Sequence, residues 1–218
     1  MYFKVGGREL EYLKSKDPKL GAVIDRIGPL RRPVNPDLFS SVVCCIVGQQ
    51  ISGRVQEVIC GRIADACGGI EPESLGRLSA GEIRRYGVSY KKAENIRAFS
   101  EKVLSGELDL NRVKRMPDDE VIRTLTALPG IGLWTAEMIL LFTLRRPDVL
   151  SFGDLGIHRG MRMVYRHRAI GRDLFERYRR RLSPCGSAAS LYFWEVAGGA
   201  IPELTDPAAR RKQAPRAV

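Results

Sequence analysis

Leu128-Pro129-Gly130-Ile131-Gly132-Leu133-Trp134-Thr135-Ala136 decides how this chain is read. Two glycines one residue apart let a backbone come close to a ligand. The stretch opens onto an almost wholly apolar run, Leu133 to Leu144, which reads as a helix. A helix N-terminus offers unpaired N–H groups and the positive end of a dipole. The segment is therefore suited to holding a phosphate oxygen through its backbone. An ordinary turn between two helices of a bundle would carry the same pattern.

Working outward, Pro117 opens a helix through Val121, Ile122 and Leu125, so about 117–144 forms a hairpin of two helices. The rest punctuates in the same way. Asp17-Pro18 reads as N-cap and first helical residue, and Asn35-Pro36 starts a helix through Phe39, Val42, Val43, Ile46 and Val47. The run Val42 to Val47 also suits a buried strand by composition, and its helical neighbours favour helix. Ser52, Ser79, Ser89 and Asp154 are placed to cap helices, Pro72 opens a short one, and Asp173 and Pro184 open the last two. Alternating strand patterns and Asn-Gly or Asp-Gly hairpins are absent. The expected fold is all-α, with residues 1–204 as one folded module and 205–218 as a frayed basic tail.

Composition narrows the partner. The 218 residues contain 36 Lys and Arg against 25 Asp and Glu, a net charge of +11. Arg159 to Arg181 alone carries nine arginines against Asp173 and Glu176. Excess positive charge favours a polyanion, because each neutralised phosphate releases counterions, although a solvated helix face would look similar. No apolar run approaches the roughly 20 residues a membrane span needs, and the N-terminus lacks a signal peptide's apolar core. Five cysteines without paired spacing suit a reducing cytoplasm, and no cysteine lies near His158 or His167 to suggest zinc.

The motif, extended to Leu-Pro-Gly-Ile-Gly-x-Trp-Thr-Ala, resembles the helix-hairpin-helix of the HhH-GPD DNA glycosylase superfamily. That superfamily follows the hairpin with a Gly/Pro-rich loop and an essential Asp; here these are Arg146 to Gly153 and Asp154, twenty residues after Trp134. Gly153-Asp154-Leu155-Gly156-Ile157, Gly48-Gln49-Gln50-Ile51-Ser52, Tyr86-Gly87-Val88-Ser89 through Lys92-Ala93, and Ser187 to Glu195 are similar to the compact 3-methyladenine glycosylase II branch. The likeness runs from about Leu10 to Pro202. It implies a two-lobed helical fold with a cleft, and a monofunctional enzyme that flips an alkylated purine from duplex DNA and hydrolyses its glycosidic bond. A non-catalytic helix-hairpin-helix DNA binder is the alternative.

On that resemblance Asp154 is the catalytic carboxylate, a role compatible with capping a helix. Trp134 and Trp194, the only tryptophans, are candidates to stack on the extruded base, with core packing as their ordinary fate. The family places Trp194 across the cleft from Asp154. A cationic alkylated purine would gain on the order of 0.5–2 kcal/mol from an aromatic face. Gln49, Gln50 and Ser52 fall where the family contacts DNA, with Gln50 as the wedge filling the gap a flipped base leaves; they also suit a plain polar loop. Gly130, Gly132 and Thr135 of the hairpin, and Arg159 and Arg162 after Asp154, are the expected phosphate contacts. Relatives suggest a Na⁺ or K⁺ on the carbonyls of Thr126, Leu128 and Ile131, with no cofactor required. Two departures matter. Bifunctional relatives carry a Schiff-base lysine where this chain has Trp134, so no lyase activity is expected. Only Cys185 lies where others hold an iron–sulfur cluster, so none is expected. A monomer acting on double-stranded DNA with a damaged base completes the expectation.

Overall fold

The computed structural model describes residues 1–208. The chain divides into two compact units. One holds Met1 and Val34–Arg145; the other holds Tyr2–Pro33 and the chain from Arg146 onward.

The chain begins with a strand, β1 (Tyr2–Lys4), two helices, α1 (Gly7–Lys16) and α2 (Pro18–Ile27), and a second strand, β2 (Arg31–Pro33). Asp17 caps α2 by accepting the Leu20 N–H at 3.0 Å, with Pro18 at the first helical position. β1 and β2 pair antiparallel, Phe3 opposite Arg32. The all-helical expectation thus gains a small β ribbon. Strands of three residues are too short to show alternation, so the sequence does not announce them.

The unit that holds Val34–Arg145 contains α3 (Leu38–Gly48), α4 (Gly53–Cys67), α5 (Pro72–Gly76), α6 (Ala80–Arg84), α7 (Tyr90–Leu104), α8 (Leu110–Arg115), α9 (Asp118–Thr126) and α10 (Leu133–Phe142). The ambiguous Val42–Val47 run is helical. Leu38, Phe39, Val42, Val43, Ile46 and Val47 are buried at helical spacing, and Phe39 stacks on Phe99 of α7 with ring centroids 5.0 Å apart. α3 starts later than Asn35-Pro36 suggests, because Asp37 accepts the Ser40 N–H at 2.7 Å while Asn35 accepts the Asp37 N–H at 3.0 Å. Ser52, Ser79 and Ser89 cap α4, α6 and α7 as expected.

The second unit is completed by α11 (Leu155–Tyr165), α12 (Arg172–Leu182) and α13 (Gly186–Ala197). α12 begins from Gly171 rather than at Asp173, and α13 begins two residues after Pro184. Its core includes the buried carboxylate of Asp17. Asp17, 1% exposed, accepts from the Tyr165 hydroxyl at 3.0 Å and from Arg181 at 3.1 Å as well as capping α2. A buried charge needs such partners. Burial, and then the Asp17 charge, push the Tyr165 phenol well above its ordinary range. Of the tail expected over 205–218, residues 209–218 lie outside the described residues. Within 205–208, Asp206 is held by Arg162. Among the described residues no helix is long and apolar enough to cross a membrane.

Candidate active site

Asp154 is the N-cap of α11 and is 7% exposed. Its Oδ1 accepts the Ile157 N–H at 2.8 Å and the Trp194 Nε1–H at 2.9 Å. The first bond is the local cap; the second arrives from a residue 40 positions along the chain. Two directional donors on one oxygen fix the orientation of the carboxylate, and the α11 dipole turns its positive end toward it. Trp194 therefore stands beside Asp154 in the same unit, which corrects the expectation that a cleft separates them. The reason lies in the packing of α13 on α11.

That packing is set by two glycines one helical turn apart. A Cβ on Gly160 would fall 2.1 Å from the Phe193 carbonyl oxygen, so only glycine lets the α13 backbone come this close. A Cβ on Gly156 would fall 2.8 Å from Cδ1 of the Trp194 indole. One face of α13 then does the rest, through Ser187, Ser190 and Trp194 at helical spacing. Ser187 N–H donates to Pro147 O at 3.0 Å; its hydroxyl donates to Arg146 O at 2.6 Å and accepts the Val149 N–H at 3.0 Å. Ser190 donates to Val149 O at 2.8 Å. Asp148 accepts the Gly186 N–H at 3.0 Å and the Ser183 hydroxyl at 2.5 Å. The Gly/Pro loop before Asp154 is thus bolted to the helix that carries its indole partner. Below it, His158 packs against Phe152 and Phe175, with centroids 4.9 and 5.5 Å apart.

The hairpin lies in the other unit. Its two glycines differ in purpose. Gly130 has φ +80°, and a Cβ there would fall 2.2 Å from Asn95 Nδ2, so the turn requires glycine. Gly132 is the N-cap of α10 with extended backbone, and a Cβ there would meet open space. The first α10 side chains, Leu133 and Trp134, are 53% and 44% exposed. Trp134 thus sits at the start of α10, and Asp154 and Trp194 belong to the second unit. Thr135, expected among the DNA contacts, is 3% exposed, so its side chain is buried. At the third helical position it faces the core, and only its backbone N–H points along the helix start. We expect Gly132→Asp to fold normally by circular dichroism and to weaken duplex binding about tenfold, because it sets a negative charge where a phosphate must approach. Unchanged affinity in the folded variant would remove the anion-cradle reading.

The α3–α4 loop presents Gln50, exposed and at φ +60°, next to Ser52, whose hydroxyl accepts the Val55 N–H at 3.4 Å to cap α4. Gln49 is engaged differently: its Nε2 donates to the Gly130 carbonyl at 2.6 Å. On α11, Arg159 is exposed. Arg162 is not open to a phosphate as expected, because Asp206 fills its guanidinium fork at 2.9 and 2.5 Å. The pair holds the Asp206 carboxyl below its usual range. Gly156, Gly160, Ser187 and Ser190 were not assigned roles from sequence. A small residue every fourth position in α11, and two serines in register with Trp194, are the signals that point to them.

A helix-hairpin-helix with an open N-terminus, followed by a carboxylate seated on a second helix N-terminus, defines a class of DNA-handling protein. The profile described as "HhH-GPD superfamily base excision DNA repair protein" matches residues 43–185. This chain belongs to the HhH-GPD superfamily of base excision DNA repair proteins. It is 25% identical over 199 residues to DNA-3-methyladenine glycosylase 1 of Schizosaccharomyces pombe, covering 89% of this chain and 86% of that protein. DNA-3-methyladenine glycosylase 2 of Escherichia coli is 26% identical over 78% of this chain and 61% of its own length. The crystal structure of a DNA-3-methyladenine glycosidase from Bacillus halodurans superposes with a TM-score of 0.82 at 36% identity, covering 97% of this chain and 99% of that one.

Proposed function

We propose that this protein is a monofunctional DNA glycosylase of base excision repair that extrudes an alkylated purine, such as 3-methyladenine, and hydrolyses its N-glycosidic bond. The observation that carries the reading is the buried Asp154 carboxylate, oriented by Ile157 N–H and Trp194 Nε1–H. As the bond from C1′ to the base nitrogen breaks, its electron pair leaves with the base and positive charge grows on the sugar. A fixed carboxylate stabilises that oxocarbenium ion and orients the water whose oxygen bonds to C1′. An alkylated purine is already cationic, so it leaves without strong acid assistance. The half-buried indole of Trp194 offers it an aromatic face and, through Nε1, holds the carboxylate in place. Trp134, exposed at the start of α10, is a second stacking candidate.

In the other unit, Gln50 is the wedge for the vacated stack, and the N–H groups after Gly132 grip a phosphate. The Leu128 carbonyl accepts one N–H, from Ile131 at 3.2 Å, and keeps a second lone pair. That suits a monovalent cation shared with the carbonyls of Thr126 and Ile131, which would hold the turn in shape. Trp134 supports the monofunctional reading, since indole offers no amine to form a Schiff base. Five free thiols suit work in the reducing cytoplasm.

The test is release of free base from methylated duplex DNA, with strands left intact until alkali treatment. Binding without release would leave a non-catalytic DNA binder. Borohydride trapping of a covalent adduct would overturn the monofunctional assignment.

A further inference from the structure

Lys92 stands in the first turn of α7, the end of a helix where a cation is least welcome. It is also partly desolvated, which lowers its pKa. Neither fact favours α7. Its ammonium instead donates to Val47 O at 2.8 Å and to Gln49 O at 2.6 Å. The first is among the last carbonyls of α3, at the negative end of that helix dipole; the second belongs to the loop that follows. From the same Gln49 the side-chain amide reaches the Gly130 carbonyl of the hairpin turn at 2.6 Å. Lys92, the loop and the turn are thus joined by two bonds through Gln49, and a third ties Lys92 to the end of α3.

The next residue is Gln50, held at φ +60°, a conformation that is strained for a side-chain-bearing residue and persists where its surroundings hold it. On either side of it the loop is fixed. Ile51 N–H donates to Gly48 O at 3.3 Å, and Gln56 Nε2 donates to Cys44 O at 2.8 Å across the α3–α4 pair. A Cβ on Gly48 would fall 2.6 Å from Gln56 Cδ, so the two helices meet closely just below the loop.

We propose that Lys92 is a positioning residue for base extrusion: through Gln49 it clasps the 49–52 loop to the 129–132 turn, so that the wedge and the phosphate grip engage a duplex in one register. This rests on the glycosylase reading above and adds to it a residue that touches neither base nor phosphate. Lys92 acts before the glycosidic bond breaks. Its loss should slow insertion of the wedge while leaving the phosphate contacts of the separate helix starts in place.

The probe is a duplex with a tetrahydrofuran abasic-site analogue and 2-aminopurine opposite the site, whose fluorescence reports unstacking as the wedge enters. No base is released, so the readout stands apart from the glycosylase assay. In stopped flow, Lys92→Met should slow the fluorescence change about tenfold or more, with equilibrium binding to undamaged duplex within about threefold of wild type. Lys92→Arg, which can still donate to both carbonyls, should recover most of the rate. Gln49→Met, which keeps length and adds no charge but loses the donor to Gly130, should resemble Lys92→Met and serves if the latter fails to fold. Wild-type insertion rates in folded Lys92→Met or Gln49→Met would overturn the proposal. So would parallel loss of rate, undamaged-duplex affinity and thermal stability, which marks general loosening. A wild-type protein that gives no fluorescence change would overturn the wedge itself, whatever the base-release assay shows.

Discussion

Asp154→Asn should lower single-turnover base release by about a hundredfold to ten-thousandfold while leaving the fold and duplex binding nearly unchanged. The substitution removes the charge and keeps an oxygen for the cap. Two bonds that orient the carboxylate end on Oδ1, one from Ile157 N–H and one from Trp194 Nε1–H. An asparagine oxygen in that place accepts the same two donors, and asparagine caps a helix as well as aspartate does. What disappears is the negative charge that, in the proposed mechanism, stabilises the growing positive charge at C1′. The measurement is release of base from methylated duplex under enzyme excess, with melting followed in parallel. Wild-type release from a folded Asn variant would remove Asp154 from the chemistry. Loss of release together with a large fall in melting temperature would show that the charge is needed by the fold.

Gly160→Ala should destabilise the protein by about 3 kcal/mol or more, the upper range for overpacking, because the clash is with backbone. The added methyl would lie 2.1 Å from the Phe193 carbonyl oxygen and 2.6 Å from its carbon, and neither can rotate away. α13 would have to move off α11, taking Trp194 from Asp154 and Ser187 and Ser190 from the loop they hold. Urea titration gives the change directly. Two companion substitutions sort the causes. Gly61→Ala lies on the exposed face of α4, where a Cβ meets nothing within 4 Å, so it should stabilise by about 0.5–1 kcal/mol through helix propensity alone. Gly156→Ala presses on the Trp194 indole at 2.8 Å, a side chain able to shift. It should cost less stability than Gly160→Ala and more activity per unit of stability lost. Equal tolerance of alanine at positions 160 and 61 would show that α11 and α13 do not pack as closely as described.

These results turn on how much of the protein is written locally. Asp17, Ser52, Ser79, Ser89 and Asp154 were legible as helix caps because a cap is a bond to an N–H two or three residues ahead, so residue type and the next turn settle it. The apolar spacing of α3 and the glycine–helix junction at 130–133 were legible for the same reason, as was the family through its ordered motifs. The ribbon pairing Phe3 with Arg32 was not, since each strand is three residues long and its partner lies far along the chain.

The site divides along the same line. Sequence placed Asp154 on a helix start, but the bond from Trp194, 40 residues away, depends on α13 crossing α11 at Gly156 and Gly160. Arg162 reads from sequence as a free cation on a basic helix. Only folding brings Asp206, 44 positions later, into its fork. Thr135 reads as part of a DNA-binding motif, and the packing of α10 turns it inward. Gln49 reads as a loop residue, and its reach to Gly130, 81 positions on, makes it a tie between two segments. Caps, periodicity and turn glycines are interactions within one or two helical turns, so the order of residues fixes them. Which carboxylate meets which donor across dozens of residues is decided by how closely helices approach, and that is a property of the packed chain.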